Sequence, residues 1–330
     1  MKYRRLGKHG MRVSEISLGA WLTYGGTVED ETSIQLIHQA LEAGINFIDI
    51  ADVYSGGKAE EVVGKALEGD TYNRKDYILS SKVFWPMSDK PNDSGLSRKH
   101  IMDSIENTLD RLNQDYLDIY YCHRFDWLTP LEETVMAMDD LVRDGRVRYW
   151  GTSVWSAAQI ERAVGIAKEI GARLPAVEQP RYNMLDRHIE LEIMESSRYH
   201  GIGITPWSPL AQGVLTGKYN NDIPEGSRGT RSEFMKRDLT DEKLSKVRKL
   251  TELATEMNIS MSQLALAWIL RRSEITSVIT GATKQEQLEQ NLGAVDVELS
   301  SDKLQYIEEI LANKPEFHPV YTPALMNREE

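Results

Sequence analysis

Residues 46–61 read NFIDIADVYSGGKAEE, and this stretch decides how the fold is understood. It begins as an apolar strand pattern, but it carries Asp49 and Asp52 and then places Tyr54 beside two glycines. Burying a carboxylate without a partner is costly in free energy. The segment therefore predicts a buried strand whose acidic end meets cationic or hydrogen-bonding side chains from other parts of the chain.

Strand-like and helix-like segments alternate along the sequence. Apolar runs of strand length occur at residues 15–22, 46–52, 77–83, 116–123, 147–154, 176–182, 203–210 and 277–282. Segments with helical spacing lie between them; in residues 98–113, apolar side chains recur three or four positions apart. This alternation indicates βαβ units and a parallel sheet. Eight such units predict a closed (β/α)8 barrel, and we expect residues 1–330 to form a single domain.

Three additions to a minimal barrel are expected. The first residues predict a small hairpin around Gly7 to Gly10. A long segment without helical or strand period, residues 211–239, follows the seventh strand, and loops of that length are usually functional. Two further helical patterns, residues 241–258 and 260–272, precede the eighth strand and predict extra helices near the C-terminus.

Composition excludes several classes of function. The net charge of −12 argues against binding to nucleic acid or to an anionic membrane. No apolar run approaches the roughly 18 residues that span a bilayer, so we expect no membrane insertion. The only cysteine is Cys122, which excludes an intramolecular disulfide. The N-terminus does not read as a signal peptide, so we expect a cytoplasmic protein, and no metal site is indicated.

Polar side chains stand at the predicted strand ends, which meet at one rim of a barrel. They are Asp49, Asp52 and Tyr54 on the second strand, Lys82 on the third, His123 on the fourth, Ser153 on the fifth and Gln179 on the sixth. A tyrosine phenol has a pKa of about 10, and a neighbouring ammonium lowers it. A carboxylate can neutralise that ammonium, and a neutral imidazole can orient a carbonyl oxygen. Asp49 is therefore expected to pair with Lys82, and Lys82 to tune Tyr54.

The sequence closely resembles the aldo-keto reductases, which are nicotinamide-dependent (β/α)8 oxidoreductases. The resemblance rests on SLGAWLTYGG (17–26), FIDIADVYSGGKAEEVVGKAL (47–67), SSKV (80–83), LDIYYCH (117–123), YWGTSVWS (149–156), EQPRYN (178–183), PWSPLAQGVLTGKY (206–219) and GATKQEQLEQNLGA (281–294). It implies a catalytic tetrad of Asp49, Tyr54, Lys82 and His123. Asp52 has no place in that tetrad, and we assign it a structural role, capping a loop.

Within this family the sequence most resembles the β subunits of voltage-gated potassium channels and their bacterial and plant relatives. Residues 129–163 and 215–228 carry that similarity. Channel β subunits commonly have Asn at the position of His123. The retained His123 therefore favours a working reductase over a redox-sensing regulatory subunit.

The cofactor site is implied mainly by the resemblance, because no Gly-x-Gly-x-x-Gly follows the first strand. NADP(H) is expected to lie across the barrel mouth, with its carboxamide on Ser153 and Gln179 and with Trp207 near the ring. The remaining implied contacts are Trp21, Ser208, Pro209, Leu210 and Gly213, then Lys218 and Arg228 for the 2′-phosphate, then Gly281, Thr283, Gln287, Gln290 and Asn291 for the adenosine. Val154 stands where many members carry Asn.

The expected site for the adenosine end of the cofactor also has support from the residues alone. Thr283 and Glu286 have the spacing of a capping box at the start of a helix. The free N–H groups of a helix N-terminus suit phosphate.

The expected function is NADP(H)-dependent reduction of small aldehydes and ketones to alcohols, with Tyr54 as proton donor. Trp21, Tyr54 and Trp85 are expected to form an apolar substrate wall, although packing at the barrel rim is an equal alternative for both tryptophans. One rival is an NADP-binding regulatory subunit with weak catalysis. A second rival is a Schiff-base aldolase using Lys82. The resemblance allows either a homo-oligomer or a monomer, since channel β subunits are tetramers and many other family members are monomers.

Overall fold

The computed structural model describes residues 1–21, 23–225, 227, 229 and 237–316. An antiparallel hairpin comes first, formed by β1 (Tyr3–Arg5) and β2 (Arg12–Ser14). This confirms the hairpin expected around Gly7. Its residues Leu6 and Val13 are fully buried in an apolar cluster with Phe47, at the floor of the sheet that follows.

Eight parallel strands form a (β/α)8 barrel, as the sequence predicted. They are β3 (Ile16–Gly19), β4 (Phe47–Asp49), β5 (Ile78–Val83), β6 (Leu117–Cys122), β7 (Val147–Ser153), β8 (Val177–Gln179), β9 (Gly203–Ile204) and β10 (Val278–Thr280). Neighbours in the sheet follow chain order from β3 to β9, and β10 pairs with β3. Backbone hydrogen bonds of 2.8 Å from Thr276 N to Ile204 O and 3.0 Å from Ile279 N to Pro206 O join the two edges.

Helices surround the strands. They are α1 (Asp30–Glu42), α2 (Lys58–Ala66), α3 (Arg98–Leu112), α4 (Leu131–Arg143), α5 (Ala157–Ile170), α6 (Ile193–His200), α7 (Asp241–Glu256), α8 (Met261–Leu270), α9 (Gln285–Leu292) and α10 (Ser301–Leu311). Local sequence sets several boundaries. Ser156 and Gln159 form a capping box at the start of α5, and Gly171 ends that helix with φ 69°.

The expected additions beyond the minimal barrel are present. Helices α7 and α8 precede β10, and α10 packs on α7. After β9, residues 211–225 of the long segment are irregular except for a short 3₁₀ turn, Ala211–Thr216. None of the helices within the described ranges is long and apolar enough to cross a membrane.

Candidate active site

A buried ion pair lies at the C-terminal rim of the barrel. Lys82 on β5 donates to Asp49 Oδ2 on β4 at 2.7 Å, with side-chain exposures of 0% and 4%. Lys82 also donates to the Ile50 carbonyl at 2.7 Å. Asp49 Oδ1 accepts hydrogen bonds from Ser80 Oγ at 2.7 Å and Gln179 Nε2 at 2.9 Å. A buried pair is tolerated only when its remaining hydrogen-bonding capacity is met, and here it is.

Tyr54 lies beside this pair on the 3₁₀ turn that follows β4. Lys82 Nζ is 3.4 Å from the Tyr54 hydroxyl. Burial raises the pKa of Tyr54 above its usual value, and the opposing effect of Lys82 is smaller. The sequence predicted a lowered pKa because it weighed the ammonium and not the loss of solvent. The phenol is therefore protonated at neutral pH, which suits a proton donor.

Lys82 itself stays charged. Burial disfavours its ammonium, but Asp49 and then Tyr54 outweigh burial and raise the pKa of Lys82 above its usual value. The charge that faces the Tyr54 phenol is therefore permanent across the physiological range. An ammonium in this position stabilises the phenolate that remains when the phenol loses its proton.

His123 follows β6, and its ring centroid lies 5.9 Å from that of Tyr54 at 76°. Burial, with Lys82 and Arg124 nearby, holds the pKa of His123 well below its usual range, so the imidazole is neutral. Its Nδ1 has no hydrogen-bond partner in the described part of the chain. A neutral imidazole with a free ring nitrogen can position an oxygen atom next to the phenol.

Tryptophans flank this centre at the barrel mouth. The Trp85 ring lies 6.3 Å from His123, and the Trp21 ring lies 6.1 Å from Trp207. Trp21 and Trp85 are both partly exposed, at 37% and 38%. They lie at the barrel mouth beside Tyr54 and His123, where a substrate could reach them.

The end of β7 is strained next to the expected nicotinamide contacts. Val154 has φ 59°, a left-handed conformation that β-branched residues rarely adopt. Ser153 Oγ donates to the Gln179 carbonyl at 3.0 Å, while the Gln179 amide nitrogen is engaged with Asp49. Gln179 therefore holds both the ion pair and the strand end that carries Ser153.

The segment after β9 has the properties of a phosphate cradle. Ser208, Ala211, Gln212 and Gly213 all have positive φ. Ser208 Oγ and both amide atoms of Gln212 are buried without a partner among the residues that the structure describes. A Cβ added at Gly213 would lie 3.0 Å from Lys218 Nζ, so this ammonium closes over the segment. Pro209 and Leu210 lie within the same turn.

The expected adenosine positions lie in helix α9 and in the turn that precedes it, with one correction. The predicted capping box of Thr283 and Glu286 is wrong, because the N-cap is Lys284. Instead, Gln287 Oε1 accepts from Thr283 N at 2.8 Å and from Thr283 Oγ1 at 3.1 Å. The polar positions of the site differ in burial: Gly281, Gln287 and Gln290 are exposed, Thr283 is intermediate and Asn291 is buried. Arg228, expected at the 2′-phosphate, lies outside the described residues.

The Asp52 side chain makes its hydrogen bond to the loop and not to the ion pair. It is fully buried, and its Oδ1 accepts from Val53 N at 2.6 Å, which fits the loop-capping role. Burial and the nearby Glu60 hold the pKa of Asp52 well above its usual value. Sequence reasoning missed Ser80 and Gln212, because a single Ser or Gln in an apolar segment carries no signal of its own.

Comparison with known proteins agrees with this geometry. The model of the Aldo/keto reductase family matches residues 15–312. The chain belongs to this family. Family membership supports an oxidoreductase-type activity on the barrel described above.

Curated relatives cover nearly the whole chain. A protein of Arabidopsis thaliana named probable voltage-gated potassium channel subunit beta is 44% identical over 96% of this chain and 98% of its own length. A rice protein of the same name gives the same values. A Schizosaccharomyces pombe protein, named putative voltage-gated potassium channel subunit beta, is 42% identical over 95% of this chain and 94% of its own. The similarity to channel β subunits, inferred from motifs, is confirmed.

Proposed function

We propose that this family member is an NADP(H)-dependent reductase of small aldehydes and ketones. One observation carries the proposal: the protonated Tyr54 phenol lies 3.4 Å from the charged Lys82 and beside the neutral His123 ring. This arrangement can donate a proton to an oxygen and stabilise the anion left behind.

The residues divide the chemistry among them. When bound, the reduced cofactor would supply the hydride for the carbonyl carbon. Tyr54 donates its proton to the carbonyl oxygen as that oxygen gains negative charge. Lys82 stabilises the resulting phenolate, and Asp49 holds the ammonium in place at 2.7 Å. His123 holds the carbonyl oxygen in reach of the phenol.

The cofactor assignment is supported by the cradle after β9. Ser208 Oγ and Gln212 Nε2 are buried donors without a partner in the described ranges, and the Lys218 ammonium lies over Gly213. Donors and a cation of this kind suit the phosphates of NADP(H). We propose that Ser153 and Gln179 hold the carboxamide, and that Lys218 and Arg228 hold the 2′-phosphate.

The aldolase alternative is disfavoured by Lys82. A Schiff-base lysine needs a lowered pKa to act as a nucleophile. The pKa of Lys82 is raised, and its ammonium is fully buried against Asp49. Lys82 therefore serves as a fixed charge.

A regulatory subunit that binds NADP(H) with weak catalysis is the second candidate, because the relatives are named as channel β subunits. A thermal shift with NADPH, with NADH and with neither tests cofactor binding first. Loss of NADPH absorbance with a panel of aldehydes then tests turnover. Cofactor binding with rapid turnover supports the reductase, whereas binding with no turnover supports the regulatory candidate.

A further inference from the structure

Arg124 lies at the mouth of the candidate active site, directly after His123. Its Nη1 donates to the His123 carbonyl at 2.5 Å, and the guanidinium carbon lies 5.5 Å from the centroid of the Trp85 ring. The side chain is partly buried. Arg124 thus contacts the backbone of His123 and lies over the tryptophan expected to contact the substrate.

This guanidinium lacks the acidic partner that other buried arginines have. Arg181 meets Asp238 at 2.5 Å, and Arg187 meets Glu190 at 2.8 Å. Over the described ranges, no carboxylate lies within 4.0 Å of Arg124.

Apart from the Tyr54 phenol, the acidic group whose charge acts on Arg124 is Glu178. Glu178 is fully buried and uses its own carboxylate on Thr152 Oγ1 at 2.5 Å and Trp155 N at 3.3 Å. It therefore does not pair with Arg124. Because a charge removed from water is costly without a partner, Arg124 is suited to an anion from outside the chain.

The cofactor phosphates do not account for this cation. In the ring of eight strands, β6 stands directly opposite β10. The phosphate cradle follows β9, and the adenosine positions follow β10, so both lie across the barrel mouth from Arg124. The neighbours of Arg124 are instead Trp85 and His123, on the side where the carbonyl group is expected.

We propose that Arg124 selects carbonyl substrates that carry an anionic group, a carboxylate or a phosphate monoester. The inference rests on the proposed reductase activity and names the substrate class of the same site. A guanidinium forms paired hydrogen bonds to either anion, and a lysine offers only a point charge. The Trp85 ring then packs against the apolar part of the substrate.

The test compares matched substrates that differ in charge. We would measure kcat/KM for 4-carboxybenzaldehyde against 4-methylbenzaldehyde, and for glycolaldehyde phosphate against glycolaldehyde. The first pair tests the carboxylate and the second tests the phosphate. The wild type is expected to favour at least one anionic substrate by about 10- to 100-fold, the range for charge-assisted hydrogen bonds.

Arg124→Met keeps much of the length and removes the charge, so that preference should fall by about tenfold or more, while Arg124→Lys should keep part of it. Arg148→Met is the matched control, because the Arg148 guanidinium also lies over an aromatic ring, that of Tyr116, at 3.7 Å. Arg148 is near the N-terminal end of β7, whereas the candidate active site is at the C-terminal ends of the strands. The Arg148→Met variant should leave the preference unchanged. Thermal melting checks that the variants fold.

The outcomes separate the two proposals. A wild type that reduces the neutral aldehydes but shows no preference for either anion overturns the role of Arg124 and leaves the reductase standing. An Arg124→Met protein that keeps the full preference does the same. If no aldehyde of either charge oxidises NADPH, the proposed function fails, and the inference fails with it.

Discussion

Gln179 Nε2 donates a 2.9 Å hydrogen bond to Asp49 Oδ1, so an amide from β8 reaches across the barrel to a carboxylate on β4. These two strands stand opposite each other in the ring. The bond ties the Asp49–Lys82 ion pair to the strand end that is expected to hold the nicotinamide. It also makes the stability of the barrel sensitive to the charge at position 179.

Gln179→Glu should give a protein whose stability falls as the pH rises. Burial and repulsion from the Asp49 carboxylate disfavour the charged form of the new acid, so its folded pKa lies above its unfolded value of about 4.3. At a pH above that unfolded pKa, the folded variant therefore binds more protons than the unfolded variant. Ionising the new acid at neutral pH then lowers the free energy of unfolding. Urea denaturation near pH 5 and pH 7 should show that the variant regains part of its free energy of unfolding at the lower pH. Gln179→Met is the control, and an equal pH dependence for both would contradict the argument.

Tyr54→Phe should lower kcat by at least about 10²-fold, the range for losing a general acid, and should leave NADPH affinity nearly intact. Steady-state rates and a fluorescence titration of NADPH measure the two effects separately. Tyr24→Phe is the matched control, since it removes a buried phenol hydroxyl without a partner in the described chain. If Tyr54→Phe worked at the wild-type rate, another group would have to be the proton donor.

His123→Asn should convert an efficient reductase into a slow NADP(H)-binding protein. Asn can hold an oxygen but fills less of the space between Tyr54 and Trp85, whose rings lie 5.9 Å and 6.3 Å from the imidazole. Single-turnover oxidation of bound NADPH by an aldehyde measures the hydride-transfer step. An unchanged rate would show that His123 does not separate enzymes from channel β subunits.

Arg228→Ala should weaken NADPH binding by about 10- to 100-fold, because a charge-assisted bond to the 2′-phosphate is lost. Lys218→Ala should act in the same direction, with a smaller effect from a point charge. NADH lacks the 2′-phosphate and serves as the control ligand for both variants. Dissociation constants for NADPH and NADH, measured at one fixed salt concentration, test this prediction. An equal loss of affinity for both cofactors would contradict a contact between Arg228 and the 2′-phosphate.

Val154→Asn should stabilise the fold by about 1 kcal/mol, because Asn tolerates the left-handed conformation that strains a β-branched residue. Val154 has φ 59°. Urea denaturation measures the gain, and Val154→Ile, which keeps the branch, should show none. A variant with Asn that is no more stable than the wild type would mean that the surrounding structure relieves the strain.

The strand-end residues could be predicted because each one breaks an apolar pattern. Asp49, Lys82 and His123 stand out in sequence, and a closed barrel brings such positions to one rim. The pairing of Asp49 with Lys82 was predicted as well, but the further partner that Asp49 finds on β8 could not be read in this way. The bond from Gln179 to Asp49 depends on which strands face each other across the interior, and sequence spacing contains no such information.

Two other features show the same limit. Arg124 directly follows His123, yet only the structure shows that it lacks a carboxylate within the described chain and lies over Trp85. The direction of the Tyr54 pKa was misjudged because loss of solvent depends on the packing of the whole rim. The effect of one charged side chain on its neighbour was predictable from the sequence, but the degree of burial that sets the pKa of Tyr54 was not.

The hairpin at the barrel floor has a consequence for folding during synthesis. Leu6 and Val13 leave the ribosome early, but the cluster that buries them includes Ala176 and Val177 on the β8 side of the barrel. The floor therefore stays open until those residues have been translated, and its apolar side chains are exposed to water or to chaperones in the meantime. A ribosome stalled before β8 would present this hairpin as an accessible hydrophobic segment.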